Sequence, residues 1–273
     1  MRGWLSRGAF AARVAMDRSD LWLPGAVVAF AGAGWIVLLL TVAPAPGTGD
    51  AASFGLRMAA SPWWPWNLVV LTLAILSGLL TLLVGIAFGE VAILLGLSDP
   101  AVPMLPRTVP RAMAVLLGVA LPVTALVLLV LWAIGPDLVD AVAGERLLAT
   151  GWPLLVLLGA IVVVAQAFGA VGLRLRGRAA VAAFRGRWAR LVPQAAVTFV
   201  AFLAGQLLTA TLLGLLWQPL AVRLADGGLA QLTTVFLLLG FVWIWLVLVV
   251  LAGIGQAWTS AWWSAELAAE ERA

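Results

Sequence analysis

Residues 66–97 read WNLVVLTLAILSGLLTLLVGIAFGEVAILLGL and contain a single ionisable side chain, Glu90. A helix needs roughly 20 apolar residues to cross the hydrocarbon core of a bilayer, which is about 30 Å thick. The stretch therefore predicts a transmembrane helix. Because it is longer than a straight crossing requires, we expect it to tilt or to extend past the bilayer surface.

The composition of the whole chain agrees with a membrane protein. Of its 273 residues, 64% are hydrophobic and 10% are charged, whereas a soluble domain typically carries about 25% charged residues. Lipid must cover part of so much apolar surface. The fold class predicted is an all-α, polytopic transmembrane bundle of about six helices. Its predicted spans are residues 21–42, 66–97, 112–134, 152–173, 191–217 and 233–263.

The residue types that are missing exclude several kinds of chemistry. The chain has no Cys, His, Lys or Tyr. Ordinary zinc, iron–sulfur and His-ligated haem sites are therefore excluded, as are Ser–His and Cys–His nucleophilic pairs and lysine-dependent phosphate loops. We predict no catalytic residue, no metal site and no cofactor, and expect that the protein is not an enzyme.

The first predicted span could also be read as a cleaved signal peptide. Four arginines precede it, and Ala43-Pro44-Ala45 resembles a cleavage site. However, its apolar run is about 22 residues against the 7–15 of a signal peptide, and Pro46 would follow the cut. The sequence favours a retained helix.

The arginines predict the orientation of the chain. Twelve lie in the N-terminal arm (residues 1–20) and in the segments after the second and fourth spans, against three in the opposite segments. The positive-inside rule then predicts cytoplasmic N- and C-termini in a bacterial cytoplasmic membrane. Tryptophans at the ends of the spans agree with two interfacial belts. Those predicted at the inner belt are Trp22, Trp262 and Trp263. A ligand-stacking platform at residues 63–66 is the alternative for the outer belt.

Three helices share a short pattern near their predicted cytoplasmic ends: residues 86–89 read IAFG, 166–169 read QAFG and 256–259 read QAWT. The helices running in the other direction each carry a proline near their start, at Pro24, Pro110 and Pro193. This pattern indicates three helical hairpins of similar design.

The second span carries a strip of small residues. Four glycines project within about 40° of one another on a helix; they are Gly78, Gly85, Gly89 and Gly96. Such a strip lets another helix backbone approach closely. The partner is expected within the chain, with a homodimer contact as the alternative.

Two predicted cytoplasmic segments differ in character. Residues 98–111 contain four prolines and predict an extended connector, or alternatively a PxxP ligand. Residues 179–191 place Val181, Phe184, Trp188 and Leu191 on one face, which predicts an interfacial helix on anionic lipid headgroups rather than a nucleic-acid site. The arginines expected at the membrane surface are Arg174, Arg176, Arg178, Arg185, Arg187 and Arg190.

Glu90 is a candidate functional residue because it is the only ionisable residue within the predicted spans. Counting inward from Trp66 places it near the cytoplasmic surface, so the favoured interpretation is an interfacial glutamate that reaches water or Arg107. A proton or cation site is the alternative. Gln166, Gln206 and Gln256 are expected to hydrogen-bond between helices or to line a polar path.

The C-terminal segment, residues 264–273, carries Glu266, Glu270 and Glu271. It is predicted to be a short acidic tail in the cytoplasm. Solvation of this tail is the simple interpretation, and a partner surface is the alternative.

Residues 177–199, reading GRAAVAAFRGRWARLVPQAAVTF, resemble six-helix bacterial membrane proteins of unknown function and are similar to the membrane domain found beside glycerophosphodiester phosphodiesterases. The resemblance covers about a tenth of the chain. It implies a basic, aromatic cytoplasmic helix that leads into the next span, and it carries no catalytic residues because the phosphodiesterase domain is absent.

Two hypotheses about function follow. The first is a non-enzymatic integral membrane subunit or scaffold in lipid or membrane-protein assembly. The alternative is a transport component, such as a permease subunit with a separate cytoplasmic ATPase that docks on residues 174–190. The lack of a charged group at mid-membrane depth argues against an ion-coupled carrier.

Overall fold

The computed structural model describes residues 2–43, 48–97, 108–139, 151–175, 177–227 and 231–268. The regular elements in these ranges are all helices. They are α1 (Arg2–Asp17), α2 (Trp22–Ala29), α3 (Trp35–Val42), α4 (Thr48–Ala59), α5 (Trp66–Gly96), α6 (Val109–Val139), α7 (Trp152–Arg174), α8 (Gly177–Gly227) and α9 (Leu232–Ala268). A 3₁₀ turn, Ser19–Leu21, links α1 to α2.

The predicted all-α class is confirmed. Six helical segments in the described part of the chain are long and apolar enough to cross a membrane. They are Ser19–Val42, Trp66–Gly96, Val109–Leu126, Val156–Arg174, Gly177–Asp226 and Leu232–Ala268. Each overlaps one of the predicted spans.

The chain forms two compact units. The first comprises Met1–Val109 and Ala201–Ala273, and the second comprises Pro110–Val200. In the second unit, Arg111 near the start of α6 donates to the carbonyl oxygens of Gly172 and Leu175 at the end of α7, at 3.2 and 3.0 Å. These bonds satisfy carbonyl groups that a helix end leaves without intrahelical partners.

In the first unit, the first span changes partners along its length. Its N-terminal part, α2, packs against α5 and α9. A five-residue π-helical turn, Phe30–Gly34, follows in a Gly- and Ala-rich sequence. Beyond this turn, Val37 and Leu38 of α3 pack against a cluster of Leu213, Leu220 and Phe241 from α8 and α9. The π turn therefore lies where the first span exchanges α5 for α8 as a neighbour, while α9 contacts both parts of the span.

Burial in α5 is concentrated at one end. All of its buried residues lie between Ala87 and Leu94, whereas its earlier apolar side chains are largely exposed. Most of the buried residues of α9 likewise lie between Gly253 and Leu267. Burial in the first unit is therefore concentrated at the C-terminal ends of α5 and α9, where α2 meets both helices and α1 meets α9.

Two expectations about α8 are corrected. It is one uninterrupted helix over Gly177–Gly227, so residues 179–191 do not form a helix separate from the span that follows. Pro193 consequently lies in the interior of α8, whereas Pro24 and Pro110 lie in the first turns of α2 and α6. A proline interrupts one backbone hydrogen bond, and the Ala- and Arg-rich residues before Pro193 are strong helix formers that carry the helix through it.

Candidate functional site: a buried glutamate between two helices

Glu90 lies in the packed end of α5, where it faces α9. Its side chain is only 6% exposed, and its neighbours Gly89 and Val91 are also buried. The residue belongs to the last two turns of a 31-residue helix, which is about 46 Å long and so exceeds the hydrocarbon thickness of a bilayer. Glu90 is therefore enclosed by protein at this end of the helix.

Two neutral side chains of α9 bind the Glu90 carboxylate. The Gln256 amide donates to Oε1, with Nε2 and Oε1 2.6 Å apart, and the Ser260 hydroxyl donates to Oε2, with Oγ and Oε2 3.2 Å apart. Gln256 and Ser260 are four residues apart and so share one face of α9. The two ion pairs in the described part of the chain, Arg7–Glu266 and Arg18–Asp20, do not involve Glu90.

The expectation that Glu90 reaches water is wrong. The carboxylate is covered where α2, α5 and α9 meet, and it replaces its lost water contacts with the two donors of α9. Arg107, the expected partner, lies outside the described residues. Of the three candidate glutamines, Gln256 is the one that binds Glu90, while the Oε1 atoms of Gln166 and Gln206 are buried without a partner among the described residues.

A second buried carboxylate joins the two ends of the chain. Glu266 of α9 is 4% exposed and accepts two hydrogen bonds from Arg7 of α1, Nε to Oε2 at 2.6 Å and Nη2 to Oε1 at 3.1 Å. This is the bidentate geometry that arginine and carboxylate groups favour. The expectation that Glu266 is solvated in an acidic tail is wrong, because α9 continues to Ala268 and α1 covers it. Glu270 and Glu271 lie outside the described residues.

Aromatic packing reinforces the contact between α1 and α9. The rings of Trp4 and Trp262 lie 4.8 Å apart between centroids, and Trp258 donates its indole N–H to the Gly8 carbonyl at 3.1 Å. Trp262 and Trp263 are both buried in protein contacts, so the prediction that they form an interfacial belt is wrong. Gly8 lies under the Trp262 ring, where a Cβ would approach within 3.2 Å.

The glycine strip of α5 faces the first span over part of its length. A Cβ on Gly89 would lie 2.5 Å from Val28 Cγ2 and 2.7 Å from the Pro24 carbonyl oxygen. Gly96 is similarly close to Leu21, and Gly85 is in ordinary contact with Ala31. No described atom lies within 4 Å of a Cβ built on Gly78, so this end of the strip has no packed neighbour.

A closer backbone contact was not anticipated from the sequence. A Cβ on Gly25 of α2 would overlap the Gly253 carbonyl oxygen of α9, and a Cβ on Gly253 would lie 2.5 Å from the Trp22 carbonyl oxygen. The two backbones therefore touch without intervening side chains. Each helix carries only one glycine at the contact, so the multi-glycine strip that marks α5 was not available as a sequence signal.

The arginines predicted at the membrane surface occupy different environments. Arg174 is buried and donates to the Ala170 carbonyl of its own helix. Arg176 lies outside the described residues. Arg187 is partly buried. The exposed members of the set are Arg178, Arg185 and Arg190.

Chemically, the site around Glu90 is a carboxylate held by an amide and a hydroxyl. The described residues contain no group of three His, Cys, Asp or Glu side chains that could hold a metal ion. Comparisons of the chain with protein-family models, with curated proteins and with solved structures give no match. The resemblance of residues 177–199 to the phosphodiesterase-associated membrane domain therefore stays a prediction.

Proposed function

We propose that this chain is a non-enzymatic integral membrane subunit or scaffold that takes part in lipid or membrane-protein assembly. The supporting observation is what the two buried carboxylates of the described residues bind. Glu90 and Glu266 each bind side chains of another helix and so hold helices together. A catalytic carboxylate would instead be expected to face an open substrate cleft, whereas Glu90 and Glu266 are both buried between helices.

The proposal includes a bacterial cytoplasmic membrane with both termini in the cytoplasm. The excess of arginines in three of the segments supports this orientation. The Arg7–Glu266 ion pair independently supports the placement of both termini on one side, because two segments that share an ion pair lie on the same side of a membrane.

A design of three related hairpins also belongs to the proposal. Two comparable contacts support it. Arg18, just before α2, donates to the Gly96 carbonyl at the end of α5 at 3.2 Å, and Arg111 makes the same kind of bond to the end of α7. In each case a basic residue at the start of one helix caps the carbonyl end of its antiparallel neighbour, where the helix dipole favours a positive charge.

The burial of Glu90 favours a second candidate function, a membrane transport component such as a permease subunit with a separate cytoplasmic ATPase. An ionisable residue inside a transmembrane helix marks a transport or proton pathway in many membrane proteins. Under this alternative, the Glu90 carboxylate is a coupling group, and its bonds to Gln256 and Ser260 belong to one state of a cycle.

One pair of experiments tests the first proposal and separates it from the second. The tagged chain would be purified from its native membrane in mild detergent, and each co-purifying chain would be tagged and purified in return. The assembly proposal expects membrane proteins in comparable amounts in both directions. Recovery of the chain without any such partner would contradict it.

The second experiment complements a deletion strain with the Glu90→Gln variant. The assembly role expects full complementation, because glutamine can keep both hydrogen bonds of the site. A variant that folds normally, fails to complement and co-purifies with a cytoplasmic ATPase would make transport the better proposal.

A further inference from the structure

The first turns of α8 expose a mixed aromatic and basic face. Val181 is 38% exposed and Trp188 is 63% exposed, and Arg178 and Arg185 are exposed as well. At 100° per residue these four side chains fall within about 80° of one another. They form one continuous face, which we name the Trp188 face.

The neighbouring side of the same helix points into the protein. Phe184 packs edge-on against Phe168 of α7, with ring centroids 5.6 Å apart, and Leu191 is fully buried. The apolar face predicted from the sequence therefore divides into two parts. Phe184 and Leu191 pack inside the unit, while Val181 and Trp188 are exposed beside the two arginines.

The composition of the Trp188 face is that of a membrane interface. An indole ring prefers the depth of the headgroups, where its apolar body and its N–H are both satisfied. An exposed arginine pairs with phosphate through a planar fork of donors. The face also follows directly on α7, one of the helices long enough to cross a membrane, so the chain keeps it within reach of a bilayer surface.

We propose that the Trp188 face binds the headgroups of anionic phospholipids. The guanidinium groups of Arg178 and Arg185 pair with the lipid phosphates, and the Trp188 and Val181 side chains lie at the boundary between headgroups and acyl chains. The inference depends on the membrane location in the proposed function and names the lipid partner, but it does not depend on the assembly role.

The test uses a local probe in a chain that has no native cysteine. Ala182 is exposed and lies within one turn of both arginines, so an Ala182→Cys variant would carry a fluorophore beside the face. The labelled protein would be reconstituted into vesicles of phosphatidylcholine and phosphatidylglycerol. One sample would carry a nitroxide on the acyl chain of phosphatidylcholine, and a parallel sample would carry the same nitroxide on phosphatidylglycerol. The quenching of the fluorophore in the two samples would then be compared.

We expect stronger quenching by the anionic nitroxide lipid than by the zwitterionic one. A basic residue near an anionic surface changes local lipid occupancy on the order of fivefold, so the Arg178→Gln/Arg185→Gln double variant should bring the quenching ratio close to one. Arg223→Gln is the matched control, since Arg223 is an exposed arginine at the far end of the same helix. It should leave the ratio unchanged. Unchanged detergent melting of each variant would show that folding is intact.

Three results would overturn the inference: equal quenching by the two lipids in the parent protein, an unchanged ratio in the double variant, or no quenching by either lipid. The last would place the face away from the bilayer. None of these results bears on co-purification with membrane proteins, so the inference and the assembly proposal fail separately.

Discussion

At the scale of residues, a carboxylate that leaves water must recover its hydrogen bonds inside the protein. Glu90 does so through Gln256 and Ser260, and Glu266 does so through the two donors of Arg7. The two sites differ in charge balance. Glu266 is neutralised by a guanidinium, whereas both donors to Glu90 are neutral, so we expect the two carboxylates to respond differently to substitution.

Replacing Glu90 by glutamine should change the free energy of unfolding by no more than about 1 kcal/mol, because the amide can accept from Gln256 and donate to Ser260. Glu90→Ala should cost about 2–4 kcal/mol, since it removes the shared acceptor of two buried donors and leaves space behind. Thermal unfolding in detergent would measure both.

Ser77→Ala is the control for the Glu90 series. The Ser77 hydroxyl is exposed and, among the described residues, bonds to the Ala74 carbonyl of its own helix, so its loss should be nearly neutral. Equal stability of Glu90→Ala and Ser77→Ala would show that the contact between α5 and α9 does not depend on the carboxylate.

Glu266→Gln should loosen α1 from α9. The substitution removes the negative partner of Arg7, and the partial exposure of Arg7 limits the cost to about 1–3 kcal/mol. Hydrogen exchange of the backbone amides of residues 2–17 should accelerate, while exchange at the centre of α9 should not. Arg13→Gln, at an exposed position of the same helix, should have no such effect. Unaltered exchange in Glu266→Gln would mean that the tryptophan contacts alone hold α1.

At the scale of elements, contacts between glycines and backbone decide how the first unit packs. Transmembrane helices gain little from the hydrophobic effect when they associate inside lipid, so close packing and short-range contacts must hold them. Gly25 and Gly253 bring α2 and α9 together, and Gly89 brings α5 onto α2. The first span is thus held from two sides in its N-terminal part, α2.

A series of single Gly→Ala changes tests these contacts with one methyl group each. Alanine favours a helix over glycine by about 1 kcal/mol, so an alanine in open space should be neutral or stabilising. At Gly253 or Gly89 the methyl group would meet backbone or Val28 at about 2.5–2.7 Å, and we expect destabilisation of about 1–3 kcal/mol.

Gly78→Ala and Gly240→Ala are the controls for the glycine series, because no described atom lies near a Cβ at either position. Gly85→Ala should be tolerated, with contacts no closer than 3.6 Å. Equal melting temperatures of the Gly253→Ala and Gly240→Ala variants would contradict the close approach of α2 and α9.

At the scale of the whole molecule, topology can be tested directly because the native chain has no cysteine. Single cysteines at Thr48, Ala143 and Gly227 should react with a membrane-impermeant thiol reagent in intact cells. Cysteines at Ser6, Thr108 and Ala183 should react only after the membrane is opened, since the arginine-rich segments are predicted to be cytoplasmic. Labelling of Ala183→Cys in intact cells would contradict the predicted orientation.

The sequence by itself determined the class of the protein and the number of its long apolar helices. Hydropathy depends on composition summed over 20 or more residues, so the six spans could be predicted without knowing which helices touch. The glycine strip also indicated which face of α5 admits a close neighbour, because four small residues on one face are a strong local signal.

Only the tertiary structure decided what the polar residues do. Whether Glu90 meets water, Arg107 or Gln256 depends on which helix packs beside it, and the counting of residues along α5 contains no information about α9. The same holds for Glu266, whose partner Arg7 lies at the other end of the chain, and for the single-glycine contact of Gly25 with Gly253. Burial of a charged group is a property of its surroundings in three dimensions, and here those surroundings come from residues more than 160 positions away.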